Sequence, residues 1–169
     1  LLVPDATGAE APAAAGALQL MVQHYQNVHG GQNMRASTIK ALAIQTANEA
    51  GNAPGPDYQY GWGLLNIPGM AKLISKSEVD PMVIQERTLN TGGTIRIPVS
   101  IGAPGQFKVT IAWTDPAGVP VANALDPTAP MLINDIDLRI ERDADKVQFL
   151  PYILDPANPA NPATFKKHN

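Results

Sequence analysis

The stretch GTIRIPVSIGAPGQFKVTIAWT, residues 93–114, is where the chain changes its hydrophobic period. Ile95, Ile97, Val99 and Ile101 alternate with Thr94, Arg96, Pro98 and Ser100, and then Phe107, Val109, Ile111 and Trp113 alternate with Gln106, Lys108, Thr110 and Ala112. A period of two predicts half-buried antiparallel strands, in which successive side chains point to opposite faces. Pro98 falls on the outward side and, lacking an N–H, marks an edge strand or a bulge. Residues 132–142 predict another strand, with Leu132, Asn134, Ile136, Leu138 and Ile140 on one face and Asp135, Asp137, Arg139 and Glu141 on the other. Residues 82–89 are a weaker strand candidate. The tail from Pro151, PYILDPANPANPATFKKHN, is rich in proline and is expected to form no regular structure.

Upstream of this block the period is helical. Ala11, Ala14, Ala15, Leu18, Met21, Val22, Tyr25 and Val28 follow the i, i+3, i+4, i+7 pattern, with Gln19, Gln23, Gln26 and Asn27 mostly on the other side. Pro12 suits a first turn and Gly30-Gly31 a stop. Gly16 costs this helix about 1 kcal/mol relative to alanine unless a close backbone contact offsets it. A second helix is predicted over 34–49, with Asn33 as its cap, Gly51 beyond its end, and Ile39, Leu42, Ala43, Thr46 and Ala47 as its buried stripe. A third is predicted over 67–74, capped by Asn66. Helices followed by strands imply an α+β chain with a boundary near 76–81, dividing it into 1–76 and 77–169.

Composition narrows the possible functions. A content of 44% hydrophobic and 16% charged residues is that of a globular protein rather than a disordered or fibrous one. The net charge of −3, with Lys166-Lys167 as the one adjacent basic pair, argues against nucleic-acid binding. Without cysteine there are no disulfides, thiolate metal sites or cysteine nucleophile, and this fits a secreted bacterial protein. No signal peptide is visible in Leu1-Leu2-Val3-Pro4-Asp5, and the weakly polar run 11–22 is too short to span a bilayer, so no membrane partner is expected.

Three motifs follow in order along the helical part. ATGAEAPAAAG (6–16) resembles the nucleophile motif Gly-Thr-Ser-x-x-x-Pro-x-x-x-Gly of subtilisin-like serine peptidases, with Thr7, Pro12 and Gly16 matching. KALAIQTA (40–47) resembles the helix that follows in that family, and DYQYGWGLLN (57–66) resembles its Tyr-Gly-x-Gly segment. In the second half, VTIAWTDPAG (109–118), LINDIDL (132–138) and FLPYILDPANP (149–159) resemble the C-terminal β-barrel, or jelly-roll, domain of one subtilase subgroup. The resemblance implies helices from the end of a subtilisin-like α/β domain followed by a partial, antiparallel jelly-roll-like domain. The full family motif places a serine at the entrance of a buried helix, beside a histidine that takes its proton. Here Gly8, which has no side chain, stands at that position. The resemblance further places the family's catalytic Asp and His and its oxyanion-hole Asn upstream, outside this chain. Ser37, Ser75 and Ser77 do not align with the motif, and His24 and His29 do not correspond to the triad histidine.

The expectation is therefore a segment of a serine endopeptidase that is inactive alone and serves as scaffold. The alternatives are a non-catalytic β-sandwich binding or structural module, and a pseudopeptidase; Glu10 and the lead-in before Ala6 also depart from the family pattern. Expected partners are the remainder of a subtilase chain or another copy of this one, because isolated helices would leave an apolar stripe uncovered. Protein substrates belong to the intact family. No organic cofactor is expected. Asp115, Asn134, Asp135 and Asp137, with Asp126 nearby, offer oxygens that suit calcium. Strand alternation, however, sets Asn134 opposite Asp135 and Asp137, so solvated carboxylates and a structural Asn are the competing reading. Asp115-Pro116-Ala117-Gly118 reads as a turn, and aromatic content of 5% offers no platform for glycans.

Overall fold

The computed structural model describes residues 10–125, 127 and 129–168. Three helices come first, α1 Glu10–Val28, α2 Ala36–Thr46 and α3 Ile67–Val79, and three strands follow, β1 Ile140–Glu141, β2 Gln148–Ile153 and β3 Thr164–His168. The chain divides into two units, each assembled from two stretches. The first takes the described residues up to Asn48 together with 63–112, and the second takes 49–62 together with the described residues from Trp113 onward.

In the first unit the helical periodicity of the sequence becomes a core. Met21 and Tyr25 of α1, Leu42 of α2, and Met70 and Ile74 of α3 are buried together, with Leu18, Val28, Ile39 and Ala43 packed around them. Met70 and Ile74 are fully buried, each contributing about 1.5–3 kcal/mol relative to an exposed side chain. α1 stops as its glycines predict. Gly30 and Gly31 adopt φ of 62° and 84°, which lets the Gly31 N–H reach back to the Gln26 carbonyl at 2.8 Å. α3 opens as predicted, with the Asn66 side chain accepting from the Gly69 N–H at 2.8 Å and Pro68 in the first turn. It runs past the expected end at Ile74 to Val79, because Ile74 and Ser77 are still buried.

α2 begins and ends inside the predicted 34–49. Asn33 is not its cap: Asn33 Oδ1 accepts from Gln26 Nε2 at 2.6 Å. Arg35 occupies the cap position without a capping side chain of its own. Glu86, distant in sequence, does the capping instead. Its Oε1 accepts from the Arg35 N–H at 2.8 Å and from the Thr38 hydroxyl. Its Oε2 lies 3.4 Å from Arg35 Nε. At the other end Thr46 donates back to the Leu42 carbonyl at 2.8 Å, and Asn48 leaves the helix to exchange two 2.9 Å backbone hydrogen bonds with Leu64.

The strands predicted over 93–101 and 106–114 are not formed, and neither is the weaker one over 82–89. Alternation tells which face is apolar, but a strand needs a second strand to form a ladder with, and the one sheet among the described residues is built from β1, β2 and β3. Ile97, Val99 and Ile101 are accordingly exposed. Residues 108–110 instead dock on the end of α2. Lys108 Nζ donates to the Ile44 and Gln45 carbonyls at 3.0 and 3.1 Å, a cation at the negative end of a helix, and Thr110 donates to Gln45 Oε1 at 2.6 Å.

The second unit holds an antiparallel sheet of order β1-β2-β3, and this is no barrel. Of the strand predicted over 132–142, Ile140–Glu141 alone pairs, setting Ile140 opposite Phe149 and Glu141 opposite Gln148. The tail from Pro151 is also corrected. It supplies the end of β2 and all of β3, with Tyr152 opposite Phe165 and Ile153 opposite Thr164. The register slips between Phe149 and Tyr152, where Pro151 has no N–H to give the ladder. Tyr152 and Phe165 meet edge to face at 5.8 Å. Within the same unit Gly55, at φ 101°, lies against the Tyr152 ring so closely that a Cβ would stand 2.7 Å from it. The turn through 57–61 is closed by reciprocal 3.0 Å hydrogen bonds between Asp57 and Gly61, which needs φ 60° at Gly61. Among the described residues nothing packs within 4 Å of a Cβ at Gly61, so its role there is conformational rather than to admit close packing.

Candidate functional site

Thr7 and Gly8 lie outside the described residues. Pro12 sits in the first turn of α1 and is exposed. Gly16 makes no close approach: nothing among the described residues lies within 4 Å of where its Cβ would be.

Two serine–histidine pairs are the chemistry that sequence reading did not bring together. His24 on α1 and His29 in the turn just after it both reach α3. His24 Nε2 is 2.9 Å from Ser75 Oγ, and His29 Nε2 is 2.9 Å from Ser77 Oγ. The available signal was the helical spacing of the two histidines and of the two serines. Nothing in that spacing fixes how α1 and α3 register, so the pairs were not legible. A histidine within hydrogen-bond reach of a serine is the first half of a nucleophile–base arrangement.

The wiring of the Ser77 pair opposes that use. Ser77 donates its single hydroxyl proton to the Ile74 carbonyl at 2.7 Å, so its oxygen is left as an acceptor and His29 Nε2 must be the donor. An imidazole that donates to a serine cannot also take that serine's proton. The Tyr25 ring stacks on His29 at 4.1 Å and fixes the ring plane. Burial first, and then the negative charge of Glu86, hold the Tyr25 phenol above its ordinary range, so it stays neutral. No carboxylate among the described residues pairs with either histidine, so neither has the third group that orients a catalytic base.

The proposed calcium residues divide. Asp115 and Asn134 meet: the Ile133 N–H donates to Asp115 Oδ2 at 2.6 Å, and the Asn134 N–H and Nδ2 donate to Oδ1 at 3.0 and 2.7 Å. Three donors converge on one carboxylate, and they lower the Asp115 pKa, the Ile133 amide foremost and the Asn134 groups after it. Asn134 thus turns its NH₂ toward the Asp115 carboxylate. Asp135 and Asp137 are exposed and share no hydrogen bond with this corner, and Asp126 lies outside the described residues. Among the described residues no group of three or more His, Cys, Asp or Glu gathers to hold a metal ion. The predicted turn at Asp115 is tight. A Cβ on Gly118 would stand 2.5 Å from the Met131 carbonyl oxygen, so this position admits only glycine without a backbone shift.

Among the described residues no helix is long and apolar enough to cross a membrane. No protein-family model and no solved structure matches the chain. A curated protein of Dictyostelium discoideum, named serine protease/ABC transporter B family protein tagA, is 26% identical over 157 residues. The similarity takes in 83% of this chain, which spans 8% of the length of that protein.

Proposed function

We propose that this chain is a scaffold segment of a subtilisin-like serine peptidase, the helices closing its catalytic domain (1–76) and the rest (77–169) forming an accessory part. The similarity to a protein named as a serine protease, extending over 83% of the chain, is the observation that carries the protease link. α1, α2 and the turn from Asp57 to Gly61 follow one another in the order of the three family-like motifs, which supports it. The scaffold role rests on Gly8 at the nucleophile position and on the Ser77 proton being committed to Ile74. In the whole protein the reaction would be peptide-bond hydrolysis through an acyl-enzyme, with the Asp and His contributed from upstream.

Labelling with a fluorophosphonate probe tests this reading. The full-length gene product should take up no probe at Ser37, Ser75, Ser77 or Ser100, and Gly8→Ser should acquire an adduct at position 8. Labelling of Ser75 or Ser77 that is lost on His24→Ala or His29→Ala would refute the scaffold role. Absence of any adduct in Gly8→Ser, with no Asp and His motifs encoded upstream, would refute the protease link.

A further inference from the structure

Four peptide bonds in the sequence join aspartate to proline, after Asp80, Asp115, Asp126 and Asp155. Such bonds are chemically weak for two reasons. The aspartyl carboxyl lies within reach of its own main-chain carbonyl, and the proline nitrogen, a tertiary amide, is a better leaving group than an N–H amide. Whether a given bond can react depends on whether a carboxyl oxygen is available, and the fold treats the three described aspartates differently.

Asp115 has both oxygens occupied, Oδ2 by the Ile133 N–H and Oδ1 by the Asn134 N–H and Nδ2. Asp155 has both occupied too, Oδ1 by the Ala157 N–H at 3.0 Å and Oδ2 by Asn158 Nδ2 at 2.8 Å. Asp80 is different. Oδ1 accepts from the Met82 N–H at 3.1 Å, while Oδ2 accepts no hydrogen bond and has the Lys76 ammonium 3.9 Å away. Its side chain is 41% exposed, so water reaches it. The Asp80 carbonyl oxygen, the one that would carry developing negative charge, already accepts from the Val83 N–H at 3.1 Å. A carboxyl oxygen that accepts no hydrogen bond, a polarised carbonyl and a proline leaving group coincide at this junction alone among the three.

We propose that the Asp80-Pro81 bond is a self-processing site, at which the folded chain cuts itself under mild acid and leaves the first unit nicked but assembled. In the acid form of Asp80, Oδ2 attacks the carbonyl carbon of the same residue. The Oδ2–C bond forms, the C–N bond to Pro81 breaks, and the carboxyl proton ends on the Pro81 nitrogen, which departs as a secondary amine. The cyclic anhydride left behind takes up water and opens to a C-terminal Asp80 with two carboxyl groups. Hydrogen bonds that hold Asp115 and Asp155 also lower their pKa, the Ile133 amide leading at the first and the Asn158 side chain at the second. After the cut, Glu86 still caps α2 through Arg35 and Thr38, Arg35 Nη1 donates to the Arg87 carbonyl at 2.9 Å, and Lys108 and Thr110 hold the end of α2. These contacts join the two pieces without the broken bond.

The test holds the protein at the lowest pH that leaves its circular dichroism unchanged, with intact mass and native size-exclusion chromatography followed over time. Masses for a break after Asp80 should appear before any for breaks after Asp115 or Asp155, and both pieces should elute in one native peak. Asp80→Ala should abolish that break with an unchanged dichroism spectrum. In urea at the same pH the order should vanish, because the hydrogen bonds that distinguish the three sites are gone. The proposal is overturned if folded protein shows no break after Asp80 or breaks after Asp115 or Asp155 as early. It is equally overturned if the pieces separate on the column, or if Asp80 still leads in urea.

Discussion

Gly55 shows how much a single position can hold. Its φ of 101° is open to glycine and strained for any L side chain, and the Tyr152 ring fills the space a Cβ would need. Gly55→Ala should destabilise the second unit by about 1–2 kcal/mol from the backbone alone, before the ring is displaced, read as a lower denaturation midpoint. A companion Tyr152→Ala should remove the steric part of that penalty and leave the conformational part. Asp115 carries a prediction of the opposite kind, one of charge. Its folded-state pKa is lowered by the Ile133 and Asn134 donors. Its stabilising contribution is therefore fully present above the pKa of an unfolded aspartate, about 3.9, and is lost as pH falls through the lower folded value. Carbon-detected NMR should show the Asp115 carboxyl titrating below an ordinary aspartate, and Asn134→Ala should move it upward. Sequence reading placed Asp115 and Asn134 together and named a turn, and it left a cation and a structural Asn as competing readings of the pair. The polarity of the contact depends on which atoms of Asn134 face Asp115, and that is invisible in a string of letters.

Among the elements, those whose signals are local were legible. α1 was marked at both ends by Pro12 and Gly30-Gly31, and α3 by the Asn66 cap, because these residues act on their own neighbours in the chain. α2 was placed less well at its start, because its cap comes from Glu86, and no local rule looks that far. Glu86→Ala should cost about 0.5–2 kcal/mol and speed amide exchange in the first turn of α2, whereas Glu86→Gln, which keeps an acceptor, should lose less. Equal losses in the two variants would mean that charge on Arg35, not the cap, is what Glu86 supplies. The strands failed for a related reason. Residues 93–114 have the alternation of strands, yet pairing is a property of two segments and the sequence describes each one alone. Conversely, β3 was hidden behind the prolines of ANPANP, which occupy the connection 154–163 and leave Thr164–His168 free to pair.

Across the whole molecule, exposed apolar side chains outweigh what a small, self-sufficient domain displays. Ile97, Val99 and Ile101 are 42, 51 and 60% exposed, and they lie on one face of a segment that pairs with nothing described. Exposed apolar patches of this kind favour association. The protein should bind a hydrophobic dye and sediment with concentration-dependent mass, and Val99→Lys with Ile101→Lys should weaken both. A monomer at every concentration, with no dye bound, would contradict this.

The crossing at Asn48 and Leu64 has a further consequence. There the chain leaves the first unit and returns to it, and the two passing backbones are tied by a pair of 2.9 Å hydrogen bonds. Residues 49–62 are thus topologically an insert, entered and left through one doorway. Once that doorway has closed, lengthening the excursion beyond it carries only the slow logarithmic penalty of a longer loop. Added length is therefore cheaper between Asn48 and Leu64 than within the helices, provided that Gly55 and the hydrogen-bonded turn from Asp57 to Gly61 are left as they are.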